Sequence, residues 1–327
     1  MTIAIRRRVL AGLALAAGVA APARAQAAWP NAPVHLIVPF GPGGAVDTLA
    51  RTIANAFGPH SNGQPMVVVN RSGAGGTIAG HSVAQARPDG ATLMVADVGA
   101  NAIGRILQPN LAYDPATAFT PIIHLVNLPI VIIVRAESAV RTLDDLLAAA
   151  RASAEGLTYA SPGVGHVTHL APELLARRAG VRFIAVHYRS GAEVLRAVLA
   201  GETEFAFPSV STALPFIRDG RVRAIALGTP RPVPALPGVP AVAAQFAGFE
   251  AMTWHGIAGP AGMDAALVAT INDVFRQIIT GAEVRAFVET RQAGEIVAGS
   301  PAEFARLIAD EIAKWTPVIR EGNIRPE

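Results

Sequence analysis

Cysteine is absent from the 327 residues, lysine occurs once, at Lys314, and aromatic residues make up only 6% of the chain. Without cysteine there is no disulfide framework, no thiol nucleophile, no iron–sulfur cluster and no cysteine zinc site. A chain of this length buries enough core to do without cross-links. Beyond the first residues, no apolar run approaches the roughly 20 residues that span a bilayer. The charge is also sparse, at 16% of residues, and its formal excess of +3 does not belong to the body of the protein.

The excess sits in the opening MTIAIRRRVLAGLALAAGVAAPARA. Arg6, Arg7 and Arg8 form a positive start, residues 9–21 a short apolar stretch, and Ala23-Arg24-Ala25 a small-residue cleavage pattern. Residues 1–25 read as a cleaved secretory signal, too short for a membrane anchor. Arg6-Arg7 followed by Val9-Leu10 also suits the twin-arginine route. Cleavage removes four arginines and no acid, leaving 23 basic against 24 acidic residues and a net charge of −1. No basic surface then argues for a nucleic-acid partner. The mature protein is expected to be exported.

What is abundant is apolar, at 51%, together with 31 glycines and 25 prolines. Short apolar runs at 35–38, 66–69, 92–96, 129–134, 157–160, 183–186, 204–207 and 222–227 predict buried strands. Helical spacing follows most of them. Val46, Leu49, Ala50, Ile53, Ala54 and Phe57 mark one helix; others are predicted over 142–151, 168–179 and 192–200, the last two closed by Gly180 and Gly201. Alternation of this kind predicts a parallel α/β architecture with ligand sites in the turns that follow strands. The last third differs. TPRPVPALPGVP places five prolines between Pro230 and Pro240, a stiff extended segment. One apolar segment around 254–258 follows, then mostly helix. Asp264 opens a long amphipathic helix, and Ser300-Pro301-Ala302-Glu303 is a capping box that opens another, to about Lys314. The segments 121–134 and 228–258 are the places where the chain would pass between two lobes.

Several strand-to-helix turns carry groups suited to a ligand. In VPFGPGGAVDTLAR, Phe40, Gly41, Pro42, Gly43 and Gly44 lead into a helix. The glycines let the backbone turn sharply and approach a ligand, and the helix start offers free N–H groups and a positive dipole end. That suits a carboxylate or phosphate without any basic side chain. No Gly-Lys-Ser/Thr follows, so this is not a nucleotide P-loop. Asp47, in the first helical turn, either answers the helix dipole and loop amides or meets a ligand ammonium. Asp97 and Asn101 follow a strand in DVGAN, as ligand contacts or as caps. SPGVGHVTHLAPE repeats the cradle with Ser161, Gly163, Gly165, Thr168 and His169. His166, His169 and Glu173 have helical spacing, but this is not H-E-x-x-H and no metal is assigned. SGAGGTIAG, at 72–80, lacks the third glycine of a dinucleotide fingerprint and reads as a tight turn beside the cleft. Ser209 in FPSVST either bonds a ligand or caps the next helix. No G-x-S-x-G elbow marks a serine hydrolase, and no cofactor is called for.

Taken in order, WPNAPVHLIVPFGPGGAVDTLAR, NRSGAGGTIAG, ARPDGATLMVAD, YDPATAFTPI, YASPGVGHVTHLAPELLARRAG, HYRSG, PALPGVP, WHGIAGPAG and EIAKWTPVI resemble the Bug-type receptors, extracytoplasmic solute-binding proteins of tripartite tricarboxylate transporters. The likeness covers nearly all of the chain after the signal. It implies a type II periplasmic-binding-protein fold, with two α/β lobes closing on a small ligand. Lobe 1 would comprise 26–126 and 229–327, and lobe 2 residues 127–228. It also implies a di- or tricarboxylate, acidic amino acid or aromatic acid as ligand. The loop from Phe40 to Asp47 would hold the carboxylate through backbone and water, with the Ser161–His169 turn and Ser209 opposite. The implied partners are integral-membrane permease subunits, with the receptor acting as a monomer. Three segments depart from the family pattern. His187-Tyr188-Arg189-Ser190-Gly191 lacks the usual proline before it and the lysine within it. Phe207-Pro208-Ser209 replaces an acidic strand end, and Ala241-Val242-Ala243-Ala244 replaces Thr-Val-Ala-Glu; these two bear on ligand identity and lobe contacts. Arg189 and Arg218 are candidates to pair a second carboxylate. A receptor reporting to a sensor kinase and a secreted hydrolase are the alternative functions.

Overall fold

The computed structural model describes residues 29–188 and 190–325. The signal segment 1–25 and Arg189 lie outside the described residues. The chain first builds β1 (Val34–Val38), α1 (Ala45–Ala56), β2 (Met66–Asn70), α2 (Thr77–Ala84), β3 (Thr92–Ala96), α3 (Gly104–Leu107) and β4 (Phe119–Pro129). It continues through β5 (Val131–Arg135), α4 (Leu143–Ala152), β6 (Leu157–Ser161), α5 (Val167–Ala179), β7 (Phe183–His187), α6 (Gly191–Ala200), β8 (Phe205–Ala206), α7 (Val210–Arg218) and β9 (Val222–Leu227). It returns through β10 (Met252–Pro260), α8 (Ala265–Thr280), α9 (Ala282–Ala286), β11 (Glu295–Ile296) and α10 (Pro301–Glu321).

These strands form two sheets, ordered β11-β4-β10-β3-β1-β2 and β7-β6-β8-β5-β9. The α/β class agrees with the pattern read from the sequence, but the sheets are mixed, not wholly parallel. β1 runs parallel to β2 and β3, while β10 is antiparallel to β3 and β4. In the second sheet β6 is parallel to β7 and β8, and β5 is antiparallel to β8 and β9. The cause is connectivity. The run at 129–134 is the end of β4 and most of β5, with only Ile130 between the two sheets. No helix intervenes, so nothing imposes the parallel crossover. The return passes beside it: Gly228 N–H donates to the Ile130 carbonyl at 2.9 Å, and Ala251 N–H to the Gly228 carbonyl at 3.0 Å. A Cβ on Gly228 would stand 2.4 Å from the Ala251 oxygen, so this crossing requires glycine.

Local rules explain most of the helices. α1 buries Val46, Leu49, Ala50 and Ile53, the stripe that its spacing predicts. Thr142 and Asp145 close a capping box on α4, as Ser300 and Glu303 do on α10. α10 outruns its predicted end at Lys314 and continues through Pro317 to Glu321. Trp315, Val318 and Ile319 are buried on those last turns, and this packing outweighs the hydrogen bond the proline removes. The same helix packs on β4 of the first sheet and α5 beside the second, and Arg177 pairs with Glu321 between α5 and α10. Among the described residues no helix is long and apolar enough to cross a membrane.

Candidate ligand-binding cleft

Four helices begin around one cavity of about 640 Å³, a size typical of small-molecule sites. Phe40 to Val46 bring the start of α1, Pro162 and His166 to Thr168 that of α5, Ser190 to Ala192 that of α6, and Ser209 with Thr212 that of α7. Asp97 and Val98 enter from the turn after β3, and Leu128, Thr253 and His255 form a floor from β4 and β10. Phe40 and His166 meet edge to face across the opening, with ring centroids 6.3 Å apart.

The four helix starts are not equivalent. At α5 the His166 Nδ1 accepts from Thr168 N–H at 3.3 Å, and at α6 Ser190 Oγ accepts from Glu193 N–H at 3.3 Å. The starts of α1, at Gly44, and of α7, at Ser209, have no side-chain cap. Their first N–H groups therefore lack an intrahelical partner, and each helix points a positive dipole end at the cavity. No described lining residue is lysine or arginine. Burial holds the His166 pKa down at about 4. His255 is held down at about 3, by burial first and then by His166 and His124. Both rings are neutral at neutral pH, so the positive potential comes from backbone.

Asp47 is buried behind the first loop and lies outside the cavity lining. Its Oδ2 accepts from Gly43 N–H and from Arg51 Nε, both at 2.9 Å, and its Oδ1 from Asn70 Nδ2 at 2.8 Å. Asn70 Nδ2 also donates to the Phe40 carbonyl at 2.9 Å. Burial alone would raise the Asp47 pKa, but the bonds from Arg51, Gly43 and Asn70 together hold it below the usual carboxylate value. The Gly43 amide is thus committed to Asp47, and the free donors are the next ones along, from Gly44 into the first turn of α1. Gly43 supplies the turn itself, at φ +85°.

The other predicted residues divide in the same way. Asp97 lines the cavity and accepts from Ala100 N–H at 3.1 Å, while burial pushes its carboxyl up to about 6. Asn101 stands behind it, its Oδ1 accepting from Asp97 N–H at 3.1 Å. Thr168 and Ser209 line the cavity; Ser161, Gly163, Gly165 and His169 do not. Ser161 Oγ donates to the Gly163 carbonyl at 3.2 Å, and His169 Nδ1 accepts from Gly165 N–H at 3.1 Å. These four residues shape the turn that presents His166 and Thr168. The helical set His166, His169 and Glu173 is split among separate partners, Glu173 accepting from the Tyr159 hydroxyl at 2.6 Å. The 72–80 turn lies off the cavity and packs beneath the Asp97 turn, where a Cβ on Gly99 would meet the Gly75 oxygen at 2.2 Å. Arg218 ends α7, eight residues from the helix start that faces the cavity, about 12 Å along the axis. That corrects its candidacy for pairing a second carboxylate; Arg189 lies outside the described residues. Thr253 and His255 were not singled out from the sequence. Their signal was a threonine and a histidine two apart within an otherwise apolar strand.

The profile of the tripartite tricarboxylate transporter family receptor (TctC) matches residues 49–324. The protein BugT of Bordetella pertussis is 32% identical over 309 residues, covering 93% of each chain. Among solved structures, Rpa4515 of R. palustris with adipate is 32% identical with a TM-score of 0.80, covering 91% of this chain and all of that one. MatC (Rpa3494) from Rhodopseudomonas palustris with bound malate is 30% identical with a TM-score of 0.77, covering 89% of this chain and all of that one.

Proposed function

The chain belongs to the tripartite tricarboxylate transporter receptor family, and from that premise we propose that it captures a small carboxylate in the periplasm and hands it to the membrane permease of such a transporter. One observation carries the reading. Two uncapped helix starts, α1 and α7, converge from different sheets on one cavity whose described lining holds no basic side chain. Such a site neutralises an anion with oriented N–H groups. That two relatives of known structure were solved with adipate and with malate supports the choice of a carboxylate.

The proposed lobes are 26–126 with 229–327, and 127–228, hinged where Ile130 and Gly228 lie hydrogen-bonded side by side. Ligand contacts made from both lobes favour the closed state, because only that state makes them all at once. In this reading Phe40, Gly41, Pro42, Gly44, Asp97, Thr168 and Ser209 meet the ligand or its water. Gly43, Asp47, Asn101, Ser161, Gly163, Gly165 and His169 hold the loops that do so. The test is thermal unfolding of the purified protein against mono-, di- and tricarboxylates, aromatic acids and amino acids. Ligand that binds the native state raises the midpoint by mass action. A rise confined to one carboxylate class supports capture. No rise with any member, in protein shown by mass spectrometry to be free of retained ligand, contradicts it.

A further inference from the structure

The floor of the cavity contains polar atoms that the protein leaves unanswered. Thr253 and His255 are two apart on β10 and share one face, both lining the cavity. Trp254, between them, packs on the other side against His124 and Phe304. Thr253 is 8% exposed and His255 2%, yet neither Thr253 Oγ1 nor His255 Nδ1 has a hydrogen-bond partner among the described residues. Groups this buried are normally paired. The other nitrogen of His255 is bonded to the Ala96 carbonyl. A carbonyl only accepts, so that nitrogen carries the ring proton and Nδ1 is left as a bare acceptor. The imidazole therefore asks for a hydrogen-bond donor, which a carboxylate cannot give, while the Thr253 hydroxyl beside it can donate as well as accept.

We propose that Thr253 and His255 form a subsite that reads an O–H or N–H donor on the ligand, so that this receptor selects a small carboxylate bearing a hydroxyl or ammonium group over the unsubstituted acid. The inference rests on the carboxylate-capture reading above. The helix starts answer the carboxylate; the floor answers the substituent. Discrimination follows from the cost of leaving a buried acceptor unpaired when the donor is missing. Asp97, on the residue after Ala96 and also lining the cavity, offers an ammonium a further acceptor, so the two kinds of donor are separated by the choice of ligand.

The test is calorimetric titration of the purified protein with three matched sets: propionate, lactate and alanine; succinate, malate and aspartate; glutarate, 2-hydroxyglutarate and glutamate. In the set that binds, the hydroxy or amino member binds about tenfold or more tighter than the plain acid, as expected for one buried hydrogen bond made or lost. Equal binding by the plain acid overturns the subsite, a water then serving the floor. Binding by none of the nine, where the thermal panel has shown another acid that binds, overturns the subsite alone; binding by none there as well contradicts carboxylate capture and removes this inference with it. Thr253→Val and His255→Gln reduce the preference while leaving affinity for the plain acid within about threefold, and Thr253→Ser restores it. Thr253→Val also melts at or above the wild-type temperature, since it deletes an unanswered hydroxyl. A variant that loses affinity for both kinds of acid alike, or that melts lower, assigns Thr253 a structural role and overturns the proposal.

Discussion

Replacing Asp47 by asparagine separates a brace from a ligand contact. The carboxylate is buried and accepts three hydrogen bonds, from Gly43, Arg51 and Asn70. Asparagine keeps one accepting oxygen and turns an N–H₂ towards the remaining donors. Bonds to an ionised group contribute about 1.5–3 kcal/mol each when buried. The Arg51 side chain is 50% exposed and screened by water, so the loss comes from the Gly43 and Asn70 bonds. With one of the other two bonds surviving, Asp47→Asn should lose about 2–3 kcal/mol at neutral pH. The pH dependence gives the sign. The folded pKa is held below 3.8, so the stabilisation is complete well above that value and is lost as pH falls through it. The gap between wild type and variant, measured by urea unfolding, should be full at about pH 7, begin to shrink near the ordinary value of 3.8 and close only as pH falls through the lower folded pKa. A variant as stable as wild type at neutral pH, yet unable to bind, would refute the brace and place Asp47 on the ligand.

Gly43→Val should weaken ligand binding at least about tenfold while the fold loses only the cost of the φ of +85°, about 1–2 kcal/mol, because no atom lies within 4 Å of the added Cβ. Unchanged affinity would mean that the carboxylate sits elsewhere. Asp97 is an acid whose folded pKa is raised, to about 6, so its burial lowers stability progressively above pH 3.8 and levels off above 6. Asp97→Asn should therefore gain up to about 3 kcal/mol at pH 7.5 and nothing near pH 4, and urea curves showing no gain at pH 7.5 would contradict the burial argument. Gly165→Ala places a Cβ 2.2 Å from Leu107 Cδ1 at φ +79°. It should lower the thermal midpoint, with Leu107→Ala in the same chain relieving the steric part; a midpoint unmoved by Gly165→Ala alone would show that the contact yields freely.

The strands and helices were legible where one local rule governed them. The stripe on α1, the capping boxes of α4 and α10 and the glycine ends of α5 and α6 are all written in neighbouring residues. What was not legible depended on distant partners. The run at 129–134 gives no sign that it leaves one sheet and enters another, since both ends are equally apolar. Nothing local says that β5 and β10 oppose their neighbours. The same limit governs the cleft. The glycine-rich turn after β1 announces a ligand loop, but that the Gly43 amide is taken by Asp47 depends on the fold of the loop. Ser161 and His169 look like ligand groups from their motif, and only the folded turn shows them bonded to Gly163 and Gly165. Thr253 and His255 sit some 40 to 215 residues from the other cavity elements beyond the floor strands, outside any spacing rule.

The central claim is that backbone amides at the starts of α1 and α7 hold the carboxylate. The most direct measurement is the backbone ¹H–¹⁵N spectrum during titration with the acid giving the largest thermal shift, beside its neutral amide. The account predicts that the Ala45, Val46, Val210 and Ser211 resonances move with the acid and stay with the amide. Binding of the acid with these four unmoved, while other resonances shift, would contradict it.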